Sequence, residues 1–250
     1  MGTRVLIIKL AAMGDVLRTT PLLTPLKEKY PSSHITWVVD RASYDLLKRN
    51  KKIDRLLEFN PDNRMQLEVE EFDLLLGLDK DPRAAALSVR VKAREKKGFG
   101  LSAFGNIFPL NPESQYAFEL GINDELKFKH NKKSYQEIIF EAVGFQYRSE
   151  PYQLDVEPEE AEYAVGVLKQ AGVREGSLLV GICPGAGPLF ANKGWTVEGY
   201  AALIDALNKI KGVQVILLGG QAEIEKNAKI KSLVRSPLLD AQNHHSILQF

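Results

Sequence analysis

Short apolar runs alternate with segments of helical period along most of this chain, and that alternation admits few folds. The runs RVLIIKL, HITWVVD, RLLEF and FDLLLGL are each long enough for one strand. Among them lie a helical stretch from about Asp15, SYDLLKRN and PRAAALSVRVKA. Strands separated by helices suit parallel pairing, so the expected architecture is a parallel sheet flanked by helices. Pro21 and Pro25 fall inside the first helical stretch, where a missing N–H and a steric clash with the preceding turn should make it kink or restart. Residues 100–133, rich in Asn, Gly and Pro and poor in periodicity, read as loops with a short helix at most.

A helix over SYQEIIFEAVG closes the first half. YRSEPYQLDVEPEE follows as an extended linker, its prolines disfavouring helix on their N-terminal side. The boundary falls there, giving domains 1–150 and 151–250. The second half repeats the alternation with helix PEEAEYAVGVLKQAG, strand SLLVGIC, a helix from Thr196, strand VQVILLGG and helix AEIEKNAKIKSLV. In the Thr196 helix, Tyr200, Leu203, Ile204, Leu207 and Ile210 form one stripe that must be buried against a sheet. The fold class is therefore α/β, with two Rossmann-like parallel-sheet domains. The second has two clear strands and a weaker third at SPLLD before Phe250, so it reads as incomplete at its C-terminal end.

Composition narrows the function classes. Hydrophobic residues make up 44% and charged residues 26%, the profile of a soluble globular protein. Formal charge is only +1, so no long-range attraction to nucleic acid is built into the whole molecule and any anion site must be local. The single cysteine, Cys183, excludes an internal disulfide and fits the reducing cytoplasm, and the four histidines show no ligand spacing, so no metal is expected. Cys183 follows an apolar run and has no evident base partner, which favours core packing over nucleophilic chemistry. His244 and His245 read as part of a surface or of a partly formed interface, not as ligands. The opening segment is broken by Lys9 and closed by Asp15, too short to span a bilayer and lacking a cleavage pattern.

Ligands of open α/β sheets gather outside the carboxyl ends of the strands, and two loops of the chain fall there. The first, KLAAMGD, places Asp15 at a helix N-terminus. It can cap that helix, or accept a proton from a hydroxyl that attacks a carbon centre; position alone weighs these equally. The second, PGAGPLFANKGW, contains Gly185, Ala186 and Lys193. Small residues and a cation before a helix suit a phosphate, although a plain turn with a solvated lysine is the commoner outcome of such spacing. After the next strand, Gly219 and Gly220 make room for close approach, and Glu223 can receive ribose hydroxyls or simply belong to a tight turn. A basic stretch holding Arg83, Arg90, Lys92 and Arg94 is either a solvated face or a contact for an acidic ligand.

Taken together, KLAAMGDVLRTTPLL, FDLLLGLDKD with KKGFG, and PGAGPLFANKGWTVEGYAALIDAL with VILLGGQAEIE resemble glycosyltransferase family 9, the heptosyltransferases of two-domain GT-B fold. The resemblance covers most of residues 3–225. It implies an inverting, metal-independent transfer of heptose from ADP-heptose to the lipopolysaccharide inner core, with no cofactor besides the nucleotide sugar. The expected partners are that donor and an acidic glycolipid acceptor, with peripheral contact at the cytoplasmic face of the inner membrane. By the family pattern Asp15 is the general base, Lys193 contacts the diphosphate and Glu223 the nucleoside, with Gly185, Ala186, Gly219 and Gly220 shaping the donor loops. Lys9, Gly14, Arg83, Arg90, Lys92 and Arg94 are the candidate acceptor contacts. The rivals are a GT-B enzyme with another nucleotide-sugar donor, and a non-catalytic relative that binds saccharide or nucleotide.

Overall fold

The computed structural model of the protein describes residues 2–185 and 193–249. The chain divides into two compact units, Met1–Asp155 and Val156–Phe250.

In the first unit the strands are β1 (Arg4–Ile8), β2 (His34–Val39), β3 (Arg55–Glu58), β4 (Glu71–Gly77), β5 (Lys92–Leu101) and β6 (Ile107–Pro109). They form one sheet in the order β3-β2-β1-β4-β5-β6, parallel throughout except for the β5–β6 hairpin. β1 lies inside the sheet, and Val5, Leu6, Ile7 and Ile8 are all fully buried, which is why its apolar run is continuous instead of alternating. Leu6 and Ile8 point to one face, where they pack with Leu67 and Leu87 of the covering helices. Those helices are α4 (Pro61–Val69) and α5 (Pro82–Arg90). The other helices of the unit are α1 (Met13–Thr19), α2 (Leu23–Lys29), α3 (Arg41–Leu47), α6 (Gln115–Glu119) and α7 (Tyr135–Ala142).

The first helical stretch breaks as its prolines require. α1 ends at Thr19, a tight 3₁₀ turn over Thr20–Leu22 contains Pro21, and α2 restarts at Leu23. α7 is fixed at its start by a reciprocal pair of caps, Ser134 Oγ accepting from Glu137 N and the Glu137 carboxylate accepting from Ser134 N. The linker after α7 has no regular structure and is tied to this unit by Gln153, whose N–H and side-chain amide donate to Thr20 and Thr24.

Two expectations need correction. PRAAALSVRVKA is not one helix: α5 stops at Arg90, Val91 is buried in an extended conformation, and β5 runs from Lys92. Its alternating charges hide a strand whose sides are partly solvated. Residues 100–133 are also more ordered than their composition suggests, containing the end of β5, β6, α6 and a π-helical turn over Leu126–His130. α4 went unread although Asn60-Pro61 announces it, since the Asn60 side chain accepts from Asn63 N at 2.8 Å and Pro61 needs no N–H partner.

In the second unit, α8 (Pro158–Gln170), β7 (Leu178–Ile182), α9 (Val197–Leu207), β8 (Val213–Leu217), α10 (Ile224–Leu233) and β9 (Leu239–Asp240) follow one another. Among the described residues their strands form a parallel sheet ordered β7-β8-β9. Ile204 of α9 and Ile230 of α10 are buried with Ile182, Val215 and Leu217, and Tyr200, Leu203 and Leu207 pack against them, but Ile210, expected on the same stripe, lies past the end of α9 and is exposed. No helix among the described residues is long and apolar enough to cross a membrane.

Gly98 shows how tightly β4 and β5 are registered. It faces Gly77, has φ of +98°, and a Cβ there would lie 2.0 Å from the Gly77 carbonyl oxygen. KKGFG is therefore a packing requirement of the sheet. Gly98→Ala is expected to cost on the order of 3 kcal/mol or more, combining backbone strain with overlap. Urea unfolding measures it, and a midpoint equal to the parent's would contradict the geometry.

Candidate functional site

Ile8 at the end of β1 pairs with Gly77 at the end of β4, so the loops that leave these two strands meet. Because β2 lies on one side of β1 and β4 on the other, this is where the strand order reverses, the usual place for a ligand in such a sheet. Asp79, from the β4 loop, organises the junction. Its Oδ2 accepts from Leu10 N at 3.1 Å, Ala11 N at 3.2 Å and Lys9 Nζ at 3.2 Å, and its Oδ1 accepts from Asp81 N. The Lys9 and Asp79 side chains are 6% and 12% exposed. Lys9 Nζ also donates to the Ala11 carbonyl, and Trp37 Nε1 donates to the Lys9 carbonyl.

The loop clamped in this way delivers α1, with Asp15 in its first turn. Ala12 precedes the helix and no side chain caps it, so Asp15 is not the cap that one reading allowed. Its carboxylate is 40% exposed and meets Arg18 Nη1 at 3.3 Å. The Arg18 guanidinium lies over the Tyr135 ring, 4.2 Å from its centroid, and the Tyr135 hydroxyl is 3.2 Å from Thr19 Oγ1. Burial, reinforced by the carboxylates of Asp15 and Asp79, pushes the Tyr135 phenol well above its ordinary value, so it stays neutral at any physiological pH.

Asp15 opens onto a cleft of about 550 Å³ contained within the first unit. Leu78, Phe99, Leu120, Ile138 and Ile139 make its apolar walls, and Lys80, Lys127 and Lys133 line it beside the neutralised Lys9–Asp79 pair. Lys80 donates to the Ala117 carbonyl and sits 5.0 Å from the centroid of the Phe99 ring. Burial, aided by the nearby charge of Lys127, lowers its pKa from the ordinary lysine value. Lys133 Nζ meets Glu141 at 2.5 Å and covers the Tyr116 ring.

Apart from Lys9, the basic residues chosen from the sequence do not line this cleft. Arg90 pairs with Glu68 at 2.8 Å. Lys92 and Arg94 lie at the amino end of β5, where Arg94 meets Asp73 at 3.3 Å and the pair borders a separate depression with Arg4. The reason is strand polarity: β5 is parallel to β4, so its first residues emerge at the edge opposite Asp15. Arg83, in the first turn of α5, is committed to Asp81 and Asp40 at 2.9 and 3.1 Å. Lys9 does line the cleft, but its ammonium is spent on Asp79 and the Ala11 carbonyl. Gly14 is exposed, with open space where a Cβ would be. Lys80, Lys127 and Lys133 were missed. Only Lys80 carried a legible signal, since it leaves the carboxyl end of β4 as Lys9 leaves that of β1.

In the second unit the carboxyl ends of β7 and β8 bring Gly185, Gly219, Gly220 and Glu223 together. Glu223 Oε2 accepts from Gly220 N at 2.9 Å, and a Cβ on Gly185 would lie 2.6 Å from Glu223 Oε1. Asn243 Nδ2 donates to the Gly220 carbonyl and Asn227 Nδ2 to the Leu218 carbonyl, which fixes the turn. Ala186 lies outside the described residues. Lys193 is exposed. A second cation, Lys226 of α10, donates to the Pro184 carbonyl at 3.0 Å and sits 5.0 Å from the centroid of the Tyr200 ring. It was hidden in the sequence among the other lysines of α10. Cys183 is exposed, contrary to the core position expected, because β7 has already ended at Ile182. Among the described residues no group of three or more His, Cys, Asp or Glu side chains is placed to hold a metal ion.

Residues 63–239 match the family described as glycosyltransferase family 9 (heptosyltransferase). The chain belongs to glycosyltransferase family 9. The matched stretch takes in Lys80, Lys127 and Lys133 and the loops after β7 and β8, while Lys9 and Asp15 precede it. Among curated proteins, the family 9 chain is 25% identical over 239 residues to the lipopolysaccharide core heptosyltransferase OpsX of Haemophilus influenzae, a match covering 91% of this chain. The chain spans 63% of the length of that relative. Among solved structures it is similar to a family 9 glycosyl transferase from Veillonella parvula, with TM-score 0.72 at 19% identity over 99% of this chain and 71% of that one. It is also similar to the E. coli ADP-heptose lps heptosyltransferase II, with TM-score 0.67 at 17% identity, covering 98% and 74% of the two chains. These likenesses show the GT-B fold, with its two Rossmann-like parallel-sheet domains.

The clamp makes a stability prediction. Asp79→Ala strands a buried ammonium and three backbone N–H groups and should cost about 3–5 kcal/mol. Lys9→Met should cost less, because Asp79 keeps the N–H groups of Leu10, Ala11 and Asp81. Chemical denaturation of both variants checks the order, and the reverse order would mean that the ammonium, not the carboxylate, organises the loop.

Proposed function

We propose that the chain carries the residues of an inverting heptosyltransferase that moves a heptose from ADP-heptose to the inner core of lipopolysaccharide, working at the cytoplasmic face of the inner membrane. The observation that carries the reading is Asp15: a half-exposed carboxylate, held by Arg18, at the mouth of a cleft whose other ionisable lining is mostly lysine. Family membership and the name of the Haemophilus relative support the substrate class.

In this reaction the acceptor hydroxyl oxygen attacks the anomeric carbon of the heptose. The bond from that carbon to the diphosphate oxygen breaks, its electron pair leaves with ADP, and the hydroxyl proton passes to the Asp15 carboxylate. Attack opposite the leaving group inverts the anomeric centre. Removing the proton as the new bond forms is general base catalysis. Arg18 holds the carboxylate in place and is itself fixed by stacking on Tyr135. The first unit also takes the acceptor: its apolar walls desolvate the sugar ring, and Lys80, Lys127 and Lys133 meet the acid groups that an inner-core glycolipid carries. Arg83, Arg90, Lys92 and Arg94 take no part in this.

The second unit supplies the donor contacts. Lys193 and Lys226 offset the negative charge that grows on the departing diphosphate. Gly185, Gly219 and Gly220 let the backbone approach the nucleotide, and Glu223 lies at the same turn for the ribose hydroxyls. The reaction takes no metal and no cofactor beyond the nucleotide sugar.

Two variants separate these roles. Asp15→Asn should lower transfer by about 10²–10⁴-fold, the usual range for a positioned base, while ADP affinity is unchanged. Lys193→Ala should weaken ADP binding by about 1.5–3 kcal/mol, as for a charge-assisted contact. Transfer followed by mass spectrometry and ADP titration by calorimetry read the two effects; turnover retained in Asp15→Asn would remove that residue from the mechanism.

The lowered pKa of Lys80 gives a pH dependence. Only the ammonium form attracts an anion, so the acceptor KM should rise as pH increases through the lowered Lys80 value, below the range where ordinary lysines titrate. Lys80→Arg, which stays charged, should shift that rise upward. A KM independent of pH in the parent would exclude Lys80 from acceptor binding.

A further inference from the structure

Beside the cleft, residues 122–133 form a surface that carries more than Lys127 and Lys133, the two residues the transfer reaction uses. The π-helical turn Leu126–His130 presents Phe128 at 73% exposure, and Ile122 just before it is 71% exposed. Around these stand Lys127, Lys129, Lys132 and Lys133, all exposed, against Asp124 and Glu125. Glu125 is shared by Lys129 and His130 at 3.6 and 3.8 Å, and Lys133 pairs with Glu141. The Lys127 ammonium is 5.0 Å from the centroid of the Phe128 ring. In the turn between β5 and β6, which leaves the same carboxyl end of the sheet, Phe104 is 91% exposed.

We infer that residues 122–133, together with Phe104, dock on the surface of an anionic bilayer, which sets the cleft mouth at the membrane. Protruding single rings among lysines are what an interface of headgroups and acyl chains accommodates. The rings enter the boundary while the ammonium groups meet lipid phosphates. A protein partner is the poorer fit, because protein interfaces are depleted in lysine and favour arginine, and every strongly basic residue of this segment is lysine. Lysine's flexible stem suits a fluid array of charges whose positions are not fixed. Lys127 and Lys133 belong both to this surface and to the lining of the cleft, so the two are continuous. The inference rests on the proposed transfer reaction only for what the cleft receives, an acceptor anchored in lipid; binding to the bilayer is a separate property.

The test is sedimentation of the full chain with phosphatidylcholine vesicles that contain either no phosphatidylglycerol or roughly one third of it, a composition chosen to give a negative surface. The parent should pellet with the anionic vesicles, stay in solution with the neutral ones, and be released by high salt. The variant Phe128→Ala/Lys129→Glu/Lys132→Glu should bind at least about a hundredfold more weakly, from roughly fivefold for each lysine lost and more for each reversal. Its thermal unfolding should match the parent's, since all three side chains are exposed. With a water-soluble acceptor lacking acyl chains its transfer rate should also be unchanged, because none of the three lines the cleft. Failure of the parent to pellet, equal pelleting with neutral vesicles, undiminished binding by the variant, or loss of its activity on the soluble acceptor would each overturn the docking surface. Pelleting only when the vesicles carry the acceptor glycolipid would replace it with headgroup recognition in the cleft. Asp15→Asn should pellet like the parent, so a failed base assignment and a failed docking surface give different results.

Discussion

The buried pair of Lys9 and Asp79 holds the first unit's site together. Placing two charges where they are 6% and 12% exposed carries a desolvation penalty that can exceed their mutual attraction. What makes the arrangement tenable is that Asp79 also collects the N–H groups of Leu10, Ala11 and Asp81, donors that would otherwise be orphaned where β1 and β4 end. The interaction therefore specifies geometry more than it adds stability. It sets the path of the backbone from the last buried residue of β1 to the first turn of α1, and so the position from which Asp15 projects.

Downstream of that clamp the constraints run through side chains. Asp15 is tied to Arg18 within the same turn, Arg18 is stacked on Tyr135, and Tyr135 meets Thr19, whose hydroxyl also donates to the Asp15 carbonyl. The circuit joins α1 to α7, two helices distant in sequence. The capping pair Ser134–Glu137 fixes where α7 begins, and so where the Tyr135 ring stands. A carboxylate held by one guanidinium, and still 40% exposed, is positioned without being fully neutralised. That is the state a proton acceptor needs.

Most of the first sheet was legible because β1, β2 and β4 are buried on both faces and must be apolar at nearly every position. β5 was not, because Lys92, Arg94 and Glu95 give its first half the look of a helix face, and only its parallel pairing with β4 makes it a strand. The same blind spot grouped Lys92 and Arg94 with Asp15, although they emerge at the opposite edge of the sheet. Charge is visible in a sequence, whereas the edge of the sheet on which it emerges depends on where a strand begins. Asp15 could be found, since it follows a strand that could not be mistaken. Lys127 and Lys133 could not, because the segment carrying them has no period and reaches the cleft only through the packing of α6 against α7.

The polarity of a parallel sheet also explains how the charges are distributed. At the amino edge, cations are answered where they stand: Arg4 and Arg55 share Glu70, and Arg94 meets Asp73. At the carboxyl edge, Asp79 is consumed by Lys9, and the cleft lining then holds Lys80, Lys127 and the Glu141-paired Lys133 beside one further carboxylate, Asp15. With the whole chain at +1, this excess is a local field and not a consequence of composition. The cost is visible at Lys80, where burial and a neighbouring lysine both disfavour its charged form. A negative charge placed beside Lys80 would favour its ammonium form and offset the repulsion from Lys127.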